Sequence, residues 1–308
     1  MTCELTAVDA SVPQPDVSNV QCVPAPEICG NGIDEDCDGS DAPCPANDAP
    51  GDAIDVSAGG TFTVDLTNAT DDAPQNGCGG DGGRDVFYTL TLQAPEVVYL
   101  DTFASNFETL LRVYPGKDCG SIAGTPNCNH DACGGVHSQL ATQLPTGTTC
   151  IVVDQHVGDT TGALTLHVKR GGRAGPRLQT GVQTTTGDTC AAGNHTNAPN
   201  ACDGTTGAKD IAYYFTACPN EILKLDASTC ADPTQTHFDT VLYVAPVGGA
   251  VIDCNDDDSS CTPRTERPGK ADGSILTDAP AMGPNLFWLT VDGYSGACGG
   301  YQLVTNLR

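Results

Sequence analysis

The chain repeats itself. Arg84-Asp-Val-Phe-Tyr88 is answered by Lys209-Asp-Ile-Ala-Tyr213, Val98-Tyr-Leu-Asp101 by Leu223-Lys-Leu-Asp226, and Phe107-Glu-Thr-Leu-Leu111 by Phe238-Asp-Thr-Val-Leu242. Further on, Cys128-Asn-His-Asp131 is answered by Cys254-Asn-Asp-Asp257, and Ile151-Val-Val-Asp154 by Leu289-Thr-Val-Asp292. A duplication of this kind restricts the fold to one architecture used twice. The expected organisation is an N-terminal segment over 1–46, a first repeat over 47–170, a connection over 171–177 and a second repeat over 178–308.

Within the first repeat, short alternating or continuous apolar runs predict strands at Thr61–Leu66, Asp85–Leu92, Glu96–Thr102, Phe107–Tyr114, Ser138–Leu144, Cys150–Asp154 and Ala163–Val168. Gly, Pro, Asn and Asp separate them. Gly 36 and Pro 21 in 308 residues suit many turns, and no stretch has a convincing amphipathic helical period. The expected fold class is all-β: two tandem antiparallel β-sandwiches of jelly-roll type behind a loop-rich, cysteine-stapled N-terminal segment. The connection, Lys169-Arg-Gly-Gly-Arg-Ala-Gly-Pro-Arg177, carries four of the thirteen basic side chains and predicts no regular structure.

Seventeen cysteines argue for an oxidised, secreted or cell-surface protein. No Cys-x-x-Cys pair occurs, so disulfides are expected rather than zinc sites. Short loops could close between Cys119 and Cys128, Cys254 and Cys261, and Cys190 and Cys202. The odd count leaves one cysteine over, with Cys3 and Cys78 as candidates. Cys3 has two readings, a lipid-modified residue of the bacterial lipoprotein kind or an ordinary half-cystine; the Leu-small-small residues that precede a lipidated cysteine are missing. No apolar signal segment follows Met1, so a mature or trimmed chain is expected, and no apolar run is long enough to span a membrane.

Thirty-nine acidic residues against thirteen Lys+Arg give a formal charge of −26, which excludes a general nucleic-acid binder. The acidity is concentrated. Residues 1–50 hold ten carboxylates, five cysteines and no Lys or Arg, and they lack the apolar pattern that could build a core. Within them, Asp34, Asp36 and Asp38 alternate and are followed by Gly39, a pattern that lets a tight loop aim several hard oxygens at one cation. Asn31, Asp34, Asp36, Asp38 and Asp41 are the candidate ligands. Oxygen donors favour calcium over copper or zinc. An EF-hand would place a bidentate Glu at position twelve of this loop, where Pro45 stands instead. A second candidate set, Asn255, Asp256, Asp257 and Asp258, lies between two strands of the second repeat. The competing reading of both sets is a solvated acidic turn.

Two resemblances follow from these residues. The succession (Arg/Lys)-Asp-x-x-Tyr, Phe-(Asp/Glu)-Thr-x-Leu-x-Val, Cys-Asn-Asp-Asp and a closing Val-Asp-Gly-Tyr-Ser-Gly with Gly-Tyr-x-Leu resembles the bacterial pre-peptidase C-terminal domain. Residues 237–258 and 286–303 carry the match best. In the first repeat, His156 and Val157 stand where Gly293 and Tyr294 are expected. The resemblance implies a jelly-roll-like sandwich serving as an accessory module of secreted peptidases and surface proteins, some of which bind calcium or a fibrous substrate. The stretch from Cys22 to Cys44 resembles the metal-binding motif of MopE-type surface proteins and, more distantly, a thrombospondin type 3 calcium repeat.

No His-Glu-x-x-His, Gly-x-Ser-x-Gly or phosphate loop is present, and the histidines at 130, 137, 156, 167, 195 and 237 are scattered. Tyr294, Trp288 and Tyr301 offer either an aromatic binding surface or core, with core favoured for Trp288. The expectation is a non-enzymatic, extracellular or bacterial cell-surface calcium-binding structural or assembly protein. It would self-associate, with Thr6–Val23 adding to a neighbouring subunit. The alternative is an adhesin or accessory module that binds carbohydrate or fibrous protein.

Overall fold

The structure is a computed structural model, and it describes residues 23–25, 27–75, 78–79, 82–156, 158, 160–199, 202, 207–263 and 270–308. The stretch Thr6–Val23 expected to mediate assembly lies, except for Val23, outside the described residues, as does Cys3. The chain divides into two compact units, residues 1–44 and 45–308.

The larger unit is all-β. Its first half contains β1 (Ile54–Asp55), β2 (Gly60–Asp65), β3 (Asp85–Leu92), β4 (Glu96–Asp101), β5 (Thr109–Tyr114), β6 (Asn127–Asn129), β7 (Gln139–Leu144), β8 (Gly147–Gln155) and β9 (Ala163–Arg170). The second half contains β10 (Gly181–Asp188), β11 (Ile211–Ala217), β12 (Ile222–Ser228), β13 (Thr240–Pro246), β14 (Asp253–Asn255), β15 (Ile275–Met282), β16 (Asn285–Gly293) and β17 (Gly300–Leu307). The first sandwich pairs a β1-β3-β8-β5-β6 sheet with a β2-β9-β4-β7 sheet; the second pairs β11-β16-β13-β14 with β10-β17-β12-β15. From β2 onward the two orders are identical with every strand displaced by eight. The pairings are antiparallel except for the two-residue β1, which runs parallel to β3.

The duplication extends to side-chain detail. In the first sandwich Thr102 and Thr109 share a hydroxyl contact of 2.6 Å, and the Ser138 amide donates to Thr102 Oγ1 at 2.9 Å. In the second, Thr229 and Thr240 make the same contact at 2.7 Å, and the Ser274 amide donates to Thr229 Oγ1 at 2.9 Å. Leu111 pairs with Asn129 as Leu242 pairs with Asn255. Thr109 pairs with Gln155 as Thr240 pairs with Gly293. His156 therefore occupies the place of Tyr294, not of Gly293 as sequence alignment suggested; the His156 amide bonds to Glu108 O as the Tyr294 amide bonds to Asp239 O.

Alternation along the strands sends one set of side chains into each sandwich: Val98, Leu100, Leu111, Val113, Ile151 and Val153 in the first, Phe215, Leu242, Val244, Phe287, Leu289 and Val291 in the second. Several strands are apolar on both faces because both are covered. Val97 and Tyr99 on the outer face of β4 pack against Ala212, Tyr214, Leu286 and Trp288 of the second sandwich. Trp288 is thus buried at the junction between the sandwiches, while Tyr301 lies in the core of the second.

The connecting segment has no helix or strand over 171–177, as expected, yet it is bonded to both sandwiches. The Gly171 amide donates to Val97 O and the Val97 amide to Arg173 O, while the Tyr214 amide donates to Pro176 O. Its glycines are required for space. A Cβ on Gly175 would stand 2.4 Å from Ala212 O and 2.8 Å from the Trp288 ring, and one on Gly171 would stand 2.6 Å from Val97 O. Ala212 takes the place of Phe87 of the first repeat, and the smaller side chain leaves room for the segment to pass.

Seven disulfides are present among the described residues: Cys29–Cys44, Cys78–Cys128, Cys119–Cys150, Cys133–Cys218, Cys190–Cys298, Cys202–Cys254 and Cys230–Cys261. They overturn all three short loops expected from spacing, and Cys78 is not the unpaired residue. Neighbours in sequence here are carried away from each other by the strands between them. Cys78–Cys128 and Cys202–Cys254 are equivalent in the two repeats, and Cys133–Cys218 joins the sandwiches. Cys37 is also disulfide-bonded.

Candidate metal sites

In the smaller unit, Cys29–Cys44 closes a loop in which four residues, Gly30, Gly32, Cys37 and Gly39, hold positive φ. These turns fold the carboxylates back onto backbone amides. Asp34 accepts from the Asp38 and Gly39 amides at 3.0 Å each, and Asp36 accepts from the Asp38 amide at 3.0 Å. Glu27 Oε2 accepts from the Glu35 and Asp36 amides at 3.1 and 3.0 Å. The outcome is a trio, Glu27, Asp34 and Asp36, each offering an oxygen within 4.8 Å of the others.

The other three expected ligands face different partners. Asp38 Oδ1 accepts from the Ser40 amide and hydroxyl, both at 3.0 Å. Asp41 accepts from the Gly30 and Gly32 amides at 3.0 and 2.6 Å, closing the loop from its far side. Asn31 Oδ1 accepts from the Ile33 amide and its Nδ2 donates to Glu35. Glu27 precedes the alternating series and escaped the sequence reading; its only signal was its position two residues before Cys29.

The second trio, Asp239, Asp256 and Asp257, lies on the larger unit. Asp256 and Asp257 follow β14, and Asp239 immediately precedes β13, so hairpin pairing of these strands brings them together. Asp239 belongs to the Phe-Asp-Thr repeat, which the sequence marks as part of the duplication and of the family resemblance but not as a ligand. Asn255 Oδ1 is bonded to the Ile275 amide at 2.9 Å and ties β14 to β15. Asp258 Oδ1 accepts from the Ser260 amide at 2.8 Å and from its hydroxyl, contacts that hold its carboxyl below the usual range.

Each trio puts three formal negative charges within 4.8 Å. Every pair at that distance repels by roughly 1 kcal/mol in bulk water and by about 3–4 kcal/mol at an effective dielectric of 20. A divalent cation would reverse the sign of that term, and carboxylate oxygens with backbone carbonyls or water are the donors calcium takes.

Deeper in the larger unit, each sandwich buries two carboxylates beside one guanidinium. In the first, Arg112 of β5 pairs with Asp154 of β8, both side chains wholly buried, and Asp85 lies across the ladder from Asp154. Asp85 accepts from the Asp72 and Ala73 amides at 3.1 and 2.8 Å, yet burial, aided by the charges of Asp71 and Asp72, pushes its carboxyl up to about 7. In the second, Asp210 and Asp292 take these places while Tyr243 replaces Arg112. The cation is Arg173 of the connecting segment, bonded to Asp210 at 3.1 Å and to Thr290 at 2.9 Å. Burial and the nearby Asp210 charge raise Asp292 to about 6. Clefts of about 370 and 480 Å³ flank this segment, and Arg173 and His195 line both.

No protein-family model matches the chain, and no curated protein matches it. Among solved structures, the CUB1-EGF-CUB2 domains of rat MASP-1 are 9% identical over 82% of this chain and 99% of that one, at a TM-score of 0.21. A tail fiber protein from an E. coli phage is 10% identical over 81% of this chain and 38% of that one, at a TM-score of 0.22.

Proposed function

We propose that the chain is a non-enzymatic, secreted or cell-surface calcium-binding structural module. The observation that carries this reading is the pair of carboxylate trios, Glu27/Asp34/Asp36 and Asp239/Asp256/Asp257, built from unrelated backbone in a chain of charge −26. Disulfides persist in oxidising compartments, which supports an extracellular location; no helix among the described residues is long and apolar enough to cross a membrane. The bonded, disulfide-linked junction supports a stiff spacer or subunit, a use in which fixed geometry between modules matters more than chemistry.

The test is thermal unfolding of the oxidised protein in calcium and in chelator, for the wild type and for the pairs D34N/D36N and D256N/D257N. The reading expects calcium to raise the melting temperature and each pair to lose part of the increment. Equal melting temperatures in calcium and chelator would remove it.

The alternative, an adhesin or accessory binding module, is favoured by the two clefts beside Arg173. Glycan arrays and fibrous-protein pull-downs distinguish it, because a purely structural subunit binds only its own copies.

A further inference from the structure

The acidic trio of the second sandwich has a counterpart in the first, and its chemistry differs. Strand register makes Glu108 the equivalent of Asp239, His130 of Asp256, Asp131 of Asp257 and His156 of Tyr294. The all-oxygen set of one repeat becomes two histidines and two carboxylates in the other, arranged as two pairs rather than as a trio within 4.8 Å. His130 Nδ1 lies 3.1 Å from Asp131 Oδ2, His156 Nδ1 lies 3.5 Å from Glu108 Oε1, and the imidazole centroids are 6.3 Å apart.

We infer that these four residues form a third metal site, selective for a borderline-soft divalent transition ion of the zinc class and distinct from the two calcium sites proposed above. Imidazole nitrogens with carboxylates suit zinc, whereas calcium takes oxygens. Two imidazoles bound to one zinc at about 2.0–2.1 Å per nitrogen place their centroids on the order of 5 Å apart, so one ion bridges the two pairs only after the rings close by roughly 1 Å and turn their nitrogens toward a common point. Both rings are about one-third exposed (37% and 30%), which leaves room for that rotation. The carboxylate beside each Nδ1 can serve as a ligand or can orient the ring by accepting its N–H, as partners of metal-bound histidines commonly do. The loop carrying His130 and Asp131 is fixed at both ends, by Cys78–Cys128 before it and Cys133–Cys218 after it. Such anchoring lowers the ordering cost of binding. The His156 amide, bonded to Glu108 O, holds the remaining two residues side by side.

The inference does not depend on calcium occupying either acidic trio. Its test is calorimetric titration of the oxidised full chain with zinc chloride in excess calcium chloride, for the wild type and for H130A, H156A and D256N/D257N. The expected result is one zinc per chain, weakened about tenfold or more by either histidine substitution and unchanged by D256N/D257N. If an alanine variant fails to fold, H130Q/H156Q replaces it. The wild type adds an independent readout: zinc should shift the imidazole NMR resonances of His130 and His156 and leave those of His137, His167, His195 and His237 in place. Absence of zinc binding, displacement of zinc by calcium, or binding that survives loss of both histidines would overturn the proposal.

Discussion

Arg173 reaches from the segment between the sandwiches to Asp210, a carboxylate buried at the edge of the second, with its Nη1 3.1 Å from Asp210 Oδ1. The same guanidinium lies over the Trp288 ring at 4.7 Å and hydrogen-bonds Thr290 of β16. In the first sandwich the corresponding charge comes from within, from Arg112 on β5. The second repeat therefore completes its buried charge pairing with a residue of the connection, which couples the fold of one module to its attachment to the other.

Removing that cation leaves Asp210 buried beside Asp292 with no guanidinium. Arg173→Gln should destabilise the protein by about 3–5 kcal/mol, the usual cost of breaking a buried pair from one side. Chemical unfolding of the oxidised protein measures it, and a loss below about 1 kcal/mol would show that the contact contributes no more than an exposed pair.

The disulfide Cys133–Cys218 spans the junction, and further contacts hold it. Val97, Tyr99, Tyr214, Leu286 and Trp288 pack there, and Gln139 Nε2 donates to Ala217 O at 3.1 Å. Cys133→Ser with Cys218→Ser should lose about 2–4 kcal/mol of stability while small-angle scattering gives an unchanged radius of gyration. Gly175→Ala should do the reverse: it keeps the disulfide but forces the segment off Ala212 and Trp288, and the scattering profile should change.

Asp85 gives the protein a defined pH response. Its folded carboxyl is raised to about 7, well above the ordinary carboxylate value near 3.8. Between roughly pH 4 and 7 the folded state therefore holds a proton that the unfolded state has released. Stability falls as pH rises through that window and levels off above the folded pKa. Asp292, raised to about 6, contributes with the same sign over a narrower range. Asp85→Asn keeps acceptors for the Asp72 and Ala73 amides and removes the titration. Its melting temperature should match or exceed that of the wild type at pH 8 and vary less between pH 5 and 7. A variant less stable than the wild type at pH 8, with an unchanged slope, would contradict this account.

The strands were legible because burial of one face or both writes a pattern that chemistry enforces. Asp85–Leu92 is read from the sequence at the bounds the structure gives, and Thr61–Leu66 differs from Gly60–Asp65 by one residue. Burial of Trp288, favoured from its place in the run Leu286–Val291, is also what the structure gives. What covers the outer face of that run was not legible, because the partner side chains Val97 and Tyr99 are nearly two hundred residues earlier. Cysteine pairing failed for the same reason: the bridges in the larger unit close 31 residues or more, and strand order, not spacing, decides them. In the candidate sites, Asp34, Asp36, Asp256 and Asp257 were read from local acidity. Glu27 and Asp239 were missed because turns and hairpin pairing, not sequence neighbours, deliver them. The histidines looked scattered for an equivalent reason, since His130 and His156 meet only once β6 and β8 flank β5.

Native mass spectrometry of the oxidised chain, with and without a calcium chelator, tests the central claim most directly. The predicted result is bound calcium that chelator removes, with fewer ions retained in D34N/D36N and in D256N/D257N than in the wild type. A wild type that carries no calcium at millimolar-level supply (about 1 mM, where extracellular modules bind) would contradict it and reduce both trios to solvated acidic turns.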